Sequence, residues 1–376
     1  MIFRENYTMS ENIFMPARVI YGKGALKENS AVLGEFGKNC LIVTGGTSAK
    51  KSGALDDAVR ALEEQGISFE IFDKITANPL LSACHGAGEA ARECKADFIF
   101  GIGGGSVLDS AKAIAIFASN PELEPSDIYK RVYANAPLPV VLAGTTAGTG
   151  SEVTGVSVLT NDETGRKKSI SGPDCYAKVS FCDPSYTCSM PLGVTVSTAL
   201  DAFAHAVEGW FTPKSTGFID IVAEKCIPDI YNALCTIYET KSLPGEDLRD
   251  SLYRGSIYAG VVINTCGTAF PHPLGYVLTE NYGVPHGAAC AALFPAFFER
   301  AQKFSPVKAK KLCELCGAEP DEVTEVISAL ADVKIKITAD EAAVYAERWE
   351  QAVPKNFLSS PGSLTKEEAE KILASL

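Results

Sequence analysis

Along the first half of the chain, short apolar runs alternate with longer stretches in which apolar positions recur at helical spacing. Asn39-Cys40-Leu41-Ile42-Val43-Thr44 reads as a strand, and a helix is predicted around Ala54 to Gln65. The pair repeats with Phe69-Glu70-Ile71-Phe72 and a helix around Ser82 to Cys94. It continues through the strand Ala96 to Ile102 and, past another helix, Leu138-Pro139-Val140-Val141-Leu142. Strands separated by helices of roughly 10 to 15 residues point to βαβ units and a parallel sheet. From about Pro191 the strand signal fades. Ser197 to Trp210, Ile219 to Tyr238 and Asp247 to Asn264 are rich in Ala, Leu and Ile at helical period, so an all-helical second half is expected. Two prolines and several turn formers between Asp183 and Leu192 mark the change. The expected division is an α/β domain over residues 1–188 and an all-α domain over 189–376.

Length agrees with two cores: the chain has 376 residues, 46% of them hydrophobic, and single cores stop growing near roughly 250 to 300 residues. A net charge of -12 argues against nucleic acid or an anionic membrane as partner, because both need clustered Lys and Arg. No run approaches the ~20 apolar residues of a membrane span, and Met1 to Asn12 places polar and charged residues where a signal peptide has its apolar core. A cytoplasmic protein with a small-molecule partner is expected. The twelve cysteines then read as reduced packing residues. Cys313 and Cys316, the one close pair, lack the second pair of a zinc site.

The strand ending at Ile102 runs into Gly103-Gly104-Gly105-Ser106, followed by Asp109, Lys112 and a helix. Glycines let the backbone approach a pyrophosphate, and the helix that follows aims its free N–H groups and positive dipole end at the anion. A second loop of small and hydroxyl residues, Gly144-Thr145-Thr146-Ala147-Gly148-Thr149-Gly150-Ser151-Glu152, also follows a strand. Two such loops at the carboxyl ends of neighbouring strands make a nucleotide crevice. The first full strand ends in Gly45-Gly46-Thr47-Ser48, with Lys50 and Lys51 beyond. An acid at that point would bind the adenosine ribose and repel a 2′-phosphate. Hydroxyls and cations instead favour NADP(H) over NAD(H).

Of the four histidines, His205 stands four residues after Asp201, so the two share a helix face. His272 and His286 each follow a proline that fixes the local backbone. One carboxylate and three imidazoles suit a single divalent ion, Fe(II) or Zn(II). His85, in Cys84-His85-Gly86, reads as a surface or packing residue.

These residues, together with Tyr21-Gly22-Lys23-Gly24, Asn78-Pro79, Thr145 to Thr154, Asp183-Pro184 and the stretch Asp201 to Glu208, resemble the iron-dependent (group III) alcohol dehydrogenase family over nearly the whole chain. The 14-residue separation of His272 and His286 equals the family's separation of its last two ligands. The resemblance implies a Rossmann-like N-terminal domain, a helical C-terminal domain of the dehydroquinate-synthase-like type, and an active site between them. It implies metal ligation by Asp201, His205, His272 and His286, and pyrophosphate binding at Gly104, Gly105 and Ser106, with Asp109 in the same cofactor segment. Thr145, Thr146 and Thr149 would line the dinucleotide, Lys167 would reach its ribose, and Asn78 would face the nicotinamide. Tyr276 stands where many members carry a second histidine that assists proton transfer, so Tyr276 and Asn78 are the catalytic candidates. A homodimer or larger assembly is implied as well.

The expected reaction is hydride transfer between the dinucleotide and a small primary alcohol or aldehyde. Phe270, Val153 and Ser157 are candidates for the substrate wall. Three other readings share these features: a dehydroquinate-synthase-type lyase, a glycerol-type polyol dehydrogenase, and a binding protein without catalysis. The lyase needs several cations for a phosphorylated acidic substrate, and Arg249, Arg254 and Arg300 are the few that the helical half offers near its ligand motifs.

Overall fold

The computed structural model describes residues 12–376, so the signal-peptide reading of the N-terminus lies almost wholly outside the described residues. Eight strands occur among them: β1 (Arg18–Tyr21), β2 (Asn39–Val43), β3 (Ser68–Phe72), β4 (Phe98–Gly103), β5 (Val140–Gly144), β6 (Val156–Thr160), β7 (Lys167–Ser171) and β8 (Val179–Cys182). Six of them form one parallel sheet in the order β1-β8-β5-β4-β2-β3. Both faces are covered, as all-parallel sheets require. Leu41, Val43, Ile99 and Leu142 pack to one side, against the helices Leu81–Glu93 and Gly105–Ser119. Cys40, Ile42, Phe100 and Val141 pack to the other, against the helix Ala54–Glu64.

Three features differ from the periodicity reading. The strands β1 and β8 were not anticipated; they are four residues each and extend the sheet beyond β5. β5 begins at Val140 rather than Leu138, directly after Pro139, which has no N–H to donate to a ladder. The antiparallel pair β6–β7 lies outside the main sheet.

After β8 every regular element among the described residues is helical. The helix Leu192–Phe211 is buried along most of its length and packs against Gly217–Thr240, Glu246–Cys266 and His286–Ala291. It carries the centre of a third core built around Phe203, Trp210, Phe270 and Phe297. Among the described residues, no helix is long and apolar enough to cross a membrane.

Candidate active site

The register of β4 on β5 sets Gly103 opposite Gly144, so the two small-residue loops leave the sheet side by side. The helix Gly105–Ser119 starts at Gly104 with no side chain capping it, which leaves its first amides for an anion. Glycine is needed at Gly105 because a Cβ there would strike the side chain of Thr149. A second close approach ties the loop to the helical half: Gly150, at φ 60°, would put a Cβ 2.5 Å from the Cα of Gly260.

Beneath the loops lies a buried polar brace. Lys112 Nζ donates to Ser151 Oγ (2.7 Å) and to the carbonyls of Thr154 (2.9 Å) and Val156 (2.7 Å). Ser151 Oγ donates in turn to Asp109 Oδ1 (2.6 Å), and Asp109 Oδ2 accepts from the Val158 amide (2.8 Å). Asp109 therefore anchors β6 to the glycine-turn helix while still lining the cleft. Burial pushes its carboxyl up and the Lys112 ammonium down, and the attraction between them opposes both shifts.

Asp201 and His205 project from one face of the helix Leu192–Phe211. His272 sits in the first turn of the helix Pro271–Tyr282, and His286 opens the helix His286–Ala291. That short helix comes very close because residue 287 is glycine; a Cβ there would collide with the Ser197 carbonyl oxygen. Asp201 Oδ1 then lies 3.7 Å from His205 Nε2, 3.6 Å from His272 Nε2 and 3.8 Å from His286 Nε2. These gaps are too long for hydrogen bonds. Asp201 Oδ1 and His272 Nε2 are both buried without a hydrogen-bond partner, a costly arrangement unless something binds between them. Metal–ligand bonds of about 2.1 Å in a tetrahedron separate the donor atoms by roughly 3.4 Å, so the four residues present fit a divalent ion.

The protonation states agree. Burial holds His205 down to about 4 and His286 down to about 3, against the pull of Asp201, so both are neutral imidazoles. Burial works against ionised Asp201, but His205, His272 and His286 keep it below the usual carboxylate range. Outer contacts orient two rings. His205 Nδ1 bonds the Gly148 carbonyl at 3.3 Å, which leaves Nε2 free. His272 Nδ1 lies 2.7 Å from Glu208 Oε1, and Glu208 Oε2 accepts the Ala269 amide at 2.9 Å. A carboxylate behind a ligating imidazole fixes its tautomer and raises its basicity.

Both groups of residues open into one cleft of about 480 Å³, lined on one side by Gly105, Ser106 and Thr149 and on the other by Asp201, His205, His272 and His286. Asn78, Lys167 and Tyr276 also line it. The Tyr276 ring stacks on His286 (5.0 Å between centroids, 13°), and Lys167 Nζ lies 5.4 Å from the Tyr276 ring centre. β7 is held against the helical half by its Lys167 amide, which donates to Glu280 Oε1 (2.9 Å), while Glu280 Oε2 pairs with Arg348 (2.7 Å).

Gly104, Thr145 and Thr146 are not among the residues that line the cleft; Thr145 is buried, and Gly104 lies against the Thr146 side chain. Gly45, Gly46, Thr47 and Ser48 follow β2 and do not line the cleft. Three substrate-wall candidates are corrected. Phe270 and Val153 are fully buried in the helical core, and Ser157 is buried with its hydroxyl on the Asp109 carbonyl. The apolar lining comes instead from Ile263, Pro273, Trp349 and Val353. His85 packs edge-on against Phe117, away from the site. Glu208 was overlooked as a functional residue, although its position seven residues after Asp201 returns it to the same helix face.

Comparison with known proteins places this arrangement. Residues 16–184 match the family model described as iron-containing alcohol dehydrogenase, and residues 195–375 match the C-terminal model of the Fe-containing alcohol dehydrogenase family. Alcohol dehydrogenase 4 of Saccharomyces cerevisiae is 31% identical over 325 residues, covering 84% of this chain and 83% of its own. A protein of Bacillus subtilis named probable NADH-dependent butanol dehydrogenase 1 is 30% identical, covering 79% of this chain and 77% of its own. The crystal structure of an iron-containing alcohol dehydrogenase from Thermotoga maritima superposes with a TM-score of 0.89 at 34% identity, covering 97% of this chain and 99% of that one. The chain belongs to the iron-containing alcohol dehydrogenase family. It is a metal-dependent oxidoreductase that acts on alcohols with a nicotinamide dinucleotide.

Proposed function

We propose that the chain interconverts a small primary alcohol and its aldehyde, with NADP(H) favoured over NAD(H), and with Asp201, His205, His272 and His286 holding the divalent ion, Fe2+ first and Zn2+ as the other candidate. The observation that carries this reading is the pair of unpartnered buried atoms, Asp201 Oδ1 and His272 Nε2, facing the same cleft as the uncapped helix start. An ion there supplies a Lewis acid for the substrate oxygen, and the nicotinamide supplies or accepts the hydride.

The chain's own residues do the rest. The amides of Gly104, Gly105 and Ser106 bind the pyrophosphate, and Thr145, Thr146 and Thr149 shape the wall beside it. Lys167 reaches the ribose, Asn78 borders the nicotinamide end, and Asp109 holds the glycine-turn helix in register with β6. Tyr276 is the candidate for proton exchange. Burial pushes its phenol well above the ordinary value, so it stays a neutral O–H donor to the substrate oxygen. Ile263, Trp349 and Val353 keep water from the reacting carbon. The phosphate preference rests on the end of β2, where Gly45 to Ser48 carry no acid and Lys50 and Lys51 are exposed. Lys167 is the one cation among the cleft-lining residues described, which disfavours the phosphorylated acidic substrate of a lyase. We also propose the division at residues 188 and 189, a homodimer or larger assembly, and a cytoplasmic location.

The test is protein purified without air, loaded with Fe2+ or Zn2+, and mixed with butyraldehyde and NADPH or NADH. Loss of reduced-cofactor absorbance in step with butanol formed is expected, faster with NADPH. No turnover with either ion and either cofactor would overturn the reading.

A further inference from the structure

We infer that Cys290 is a fifth donor of the metal site, a thiolate that raises the site's affinity for zinc relative to ferrous iron above what the other four ligands give. This rests on the four-ligand reading above. Cys290 follows His286 by four residues on the helix His286–Ala291, so the two face the same way. Ligand atoms of Asp201, His272, His286 and Cys290 all lie within 4.8 Å of one another. The Cys290 sulfur is 3.9 Å from both ring nitrogens of His286. Equal distances set the sulfur beside the His286 ring rather than along one of its lone pairs, and His272 is its other polar neighbour. Other buried or half-buried cysteines point at a backbone carbonyl: Cys94 at Ala91 (3.4 Å), Cys226 at Ala223 (3.5 Å) and Cys182 at Ser180 (3.9 Å).

The approach direction matters. Cys290 is buried and does not line the cleft; it reaches the ligands from the packed side, near Leu200, Phe203 and Glu208. Coordination there leaves the cleft side open for a substrate oxygen, so the thiolate does not compete with catalysis. A zinc–sulfur bond of about 2.3 Å and zinc–nitrogen bonds of about 2.1 Å set sulfur and nitrogen roughly 3.8 Å apart at the equatorial angle of a five-coordinate ion, close to the separation found. On binding, the S–H proton passes to solvent and the freed sulfur lone pair forms the metal bond. Soft thiolate donors favour zinc, whereas carboxylate and imidazole alone discriminate less.

Cobalt(II) loaded into the full chain tests this by absorption spectroscopy. The wild-type protein is expected to show visible d–d bands together with a near-ultraviolet thiolate-to-cobalt charge-transfer band. Cys290→Ser should keep the d–d bands and lose the charge-transfer band, and in competition its preference for zinc over ferrous iron should fall about tenfold. Cys290→Ala, which leaves only a smaller side chain in the same place, should behave likewise, with thermal unfolding confirming that each variant folds. Visible bands without charge transfer in the wild type, or charge transfer that persists in both variants, overturns the role of Cys290 and spares the four-ligand site. Absence of d–d bands from the wild type overturns the four-ligand reading itself.

Discussion

The two sides of the cleft solve opposite problems. The α/β side offers an anion almost nothing but backbone: glycines, small hydroxyl residues and a helix start, with Lys112 and Asp109 used up in holding the loops together. On the proposed reading, the helical side offers a cation side chains only, four from the ligand set with Cys290 behind them. A backbone site is destroyed by adding atoms, because extra volume blocks approach. A side-chain site is destroyed by removing them, because the remaining donors stay buried and unpaired. Substitutions on the two sides should therefore separate cleanly in what they damage.

The largest effect is expected from His272→Ala: metal content should vanish and kcat/KM fall by about a thousandfold or more, since a Lewis acid accounts for several kcal/mol of the barrier. Dinucleotide affinity, read by fluorescence titration, should hardly move; a parallel collapse would erase the distinction between the sides. Glu208→Gln should lower metal affinity by roughly tenfold to a hundredfold through the freed His272 ring, measured by chelator competition. An unchanged affinity would make Glu208 a packing residue. On the other side, Gly105→Ala should press on Thr149 and weaken dinucleotide binding by about tenfold, the equivalent of roughly 1 to 2 kcal/mol of overpacking. Metal content should stay at wild-type level.

The smallest effect concerns pH and the metal-free protein. His205 and His286 hold at about 4 and about 3 in the fold, against about 6.5 in an unfolded chain. Between those values the unfolded chain binds protons that the fold refuses, so stability is full above about pH 6.5 and declines as pH falls. His272 works the other way: although burial opposes it, Cys290 and Glu208 pull its imidazole well above the ordinary value, so its contribution is present below about pH 6.5 and fades as pH rises, one imidazole against two. Asp201, with its lowered value, loses its contribution only below the ordinary carboxylate range. Melting of chelator-treated protein at pH 7 and at pH 5 should show the lower value at pH 5, and the reverse order would mean that the two imidazoles are charged in the fold.

The same contrast explains what could be read without coordinates. β2, β4 and β5 announce themselves because residues such as Ile42, Ile99 and Val141 are apolar on both faces of a covered sheet. β8 is just as buried, but four residues give no period to detect, and β1 carries Arg18 and Tyr21 at its ends. β7, Lys-Lys-Ser-Ile-Ser, is polar enough to read as loop, although it brings Lys167 to the cleft. Asp201 and His205 are legible because charged and polar residues in an apolar helix demand a partner. Glu208 and Cys290 carry the same helical spacing, but an acid near a helix end and a cysteine among alanines have ordinary explanations. Only the convergence of three helices, permitted by Gly287 against Ser197, makes their position informative. The substrate wall differs for the converse reason: Phe270 stands two residues before His272 and Val153 directly follows the second glycine loop, and their side chains turn into the core.

One contact carries a consequence for inheritance. At Gly150 and Gly260 the cofactor loop and a helix of the other half meet backbone to backbone, with no room for a single carbon on either side. Neither half can drift in sequence at that point without the other, so the halves are not interchangeable modules. A chimera that joins this chain's first half to a relative's second half would inherit a working cleft only where both small residues come along, whatever the match elsewhere.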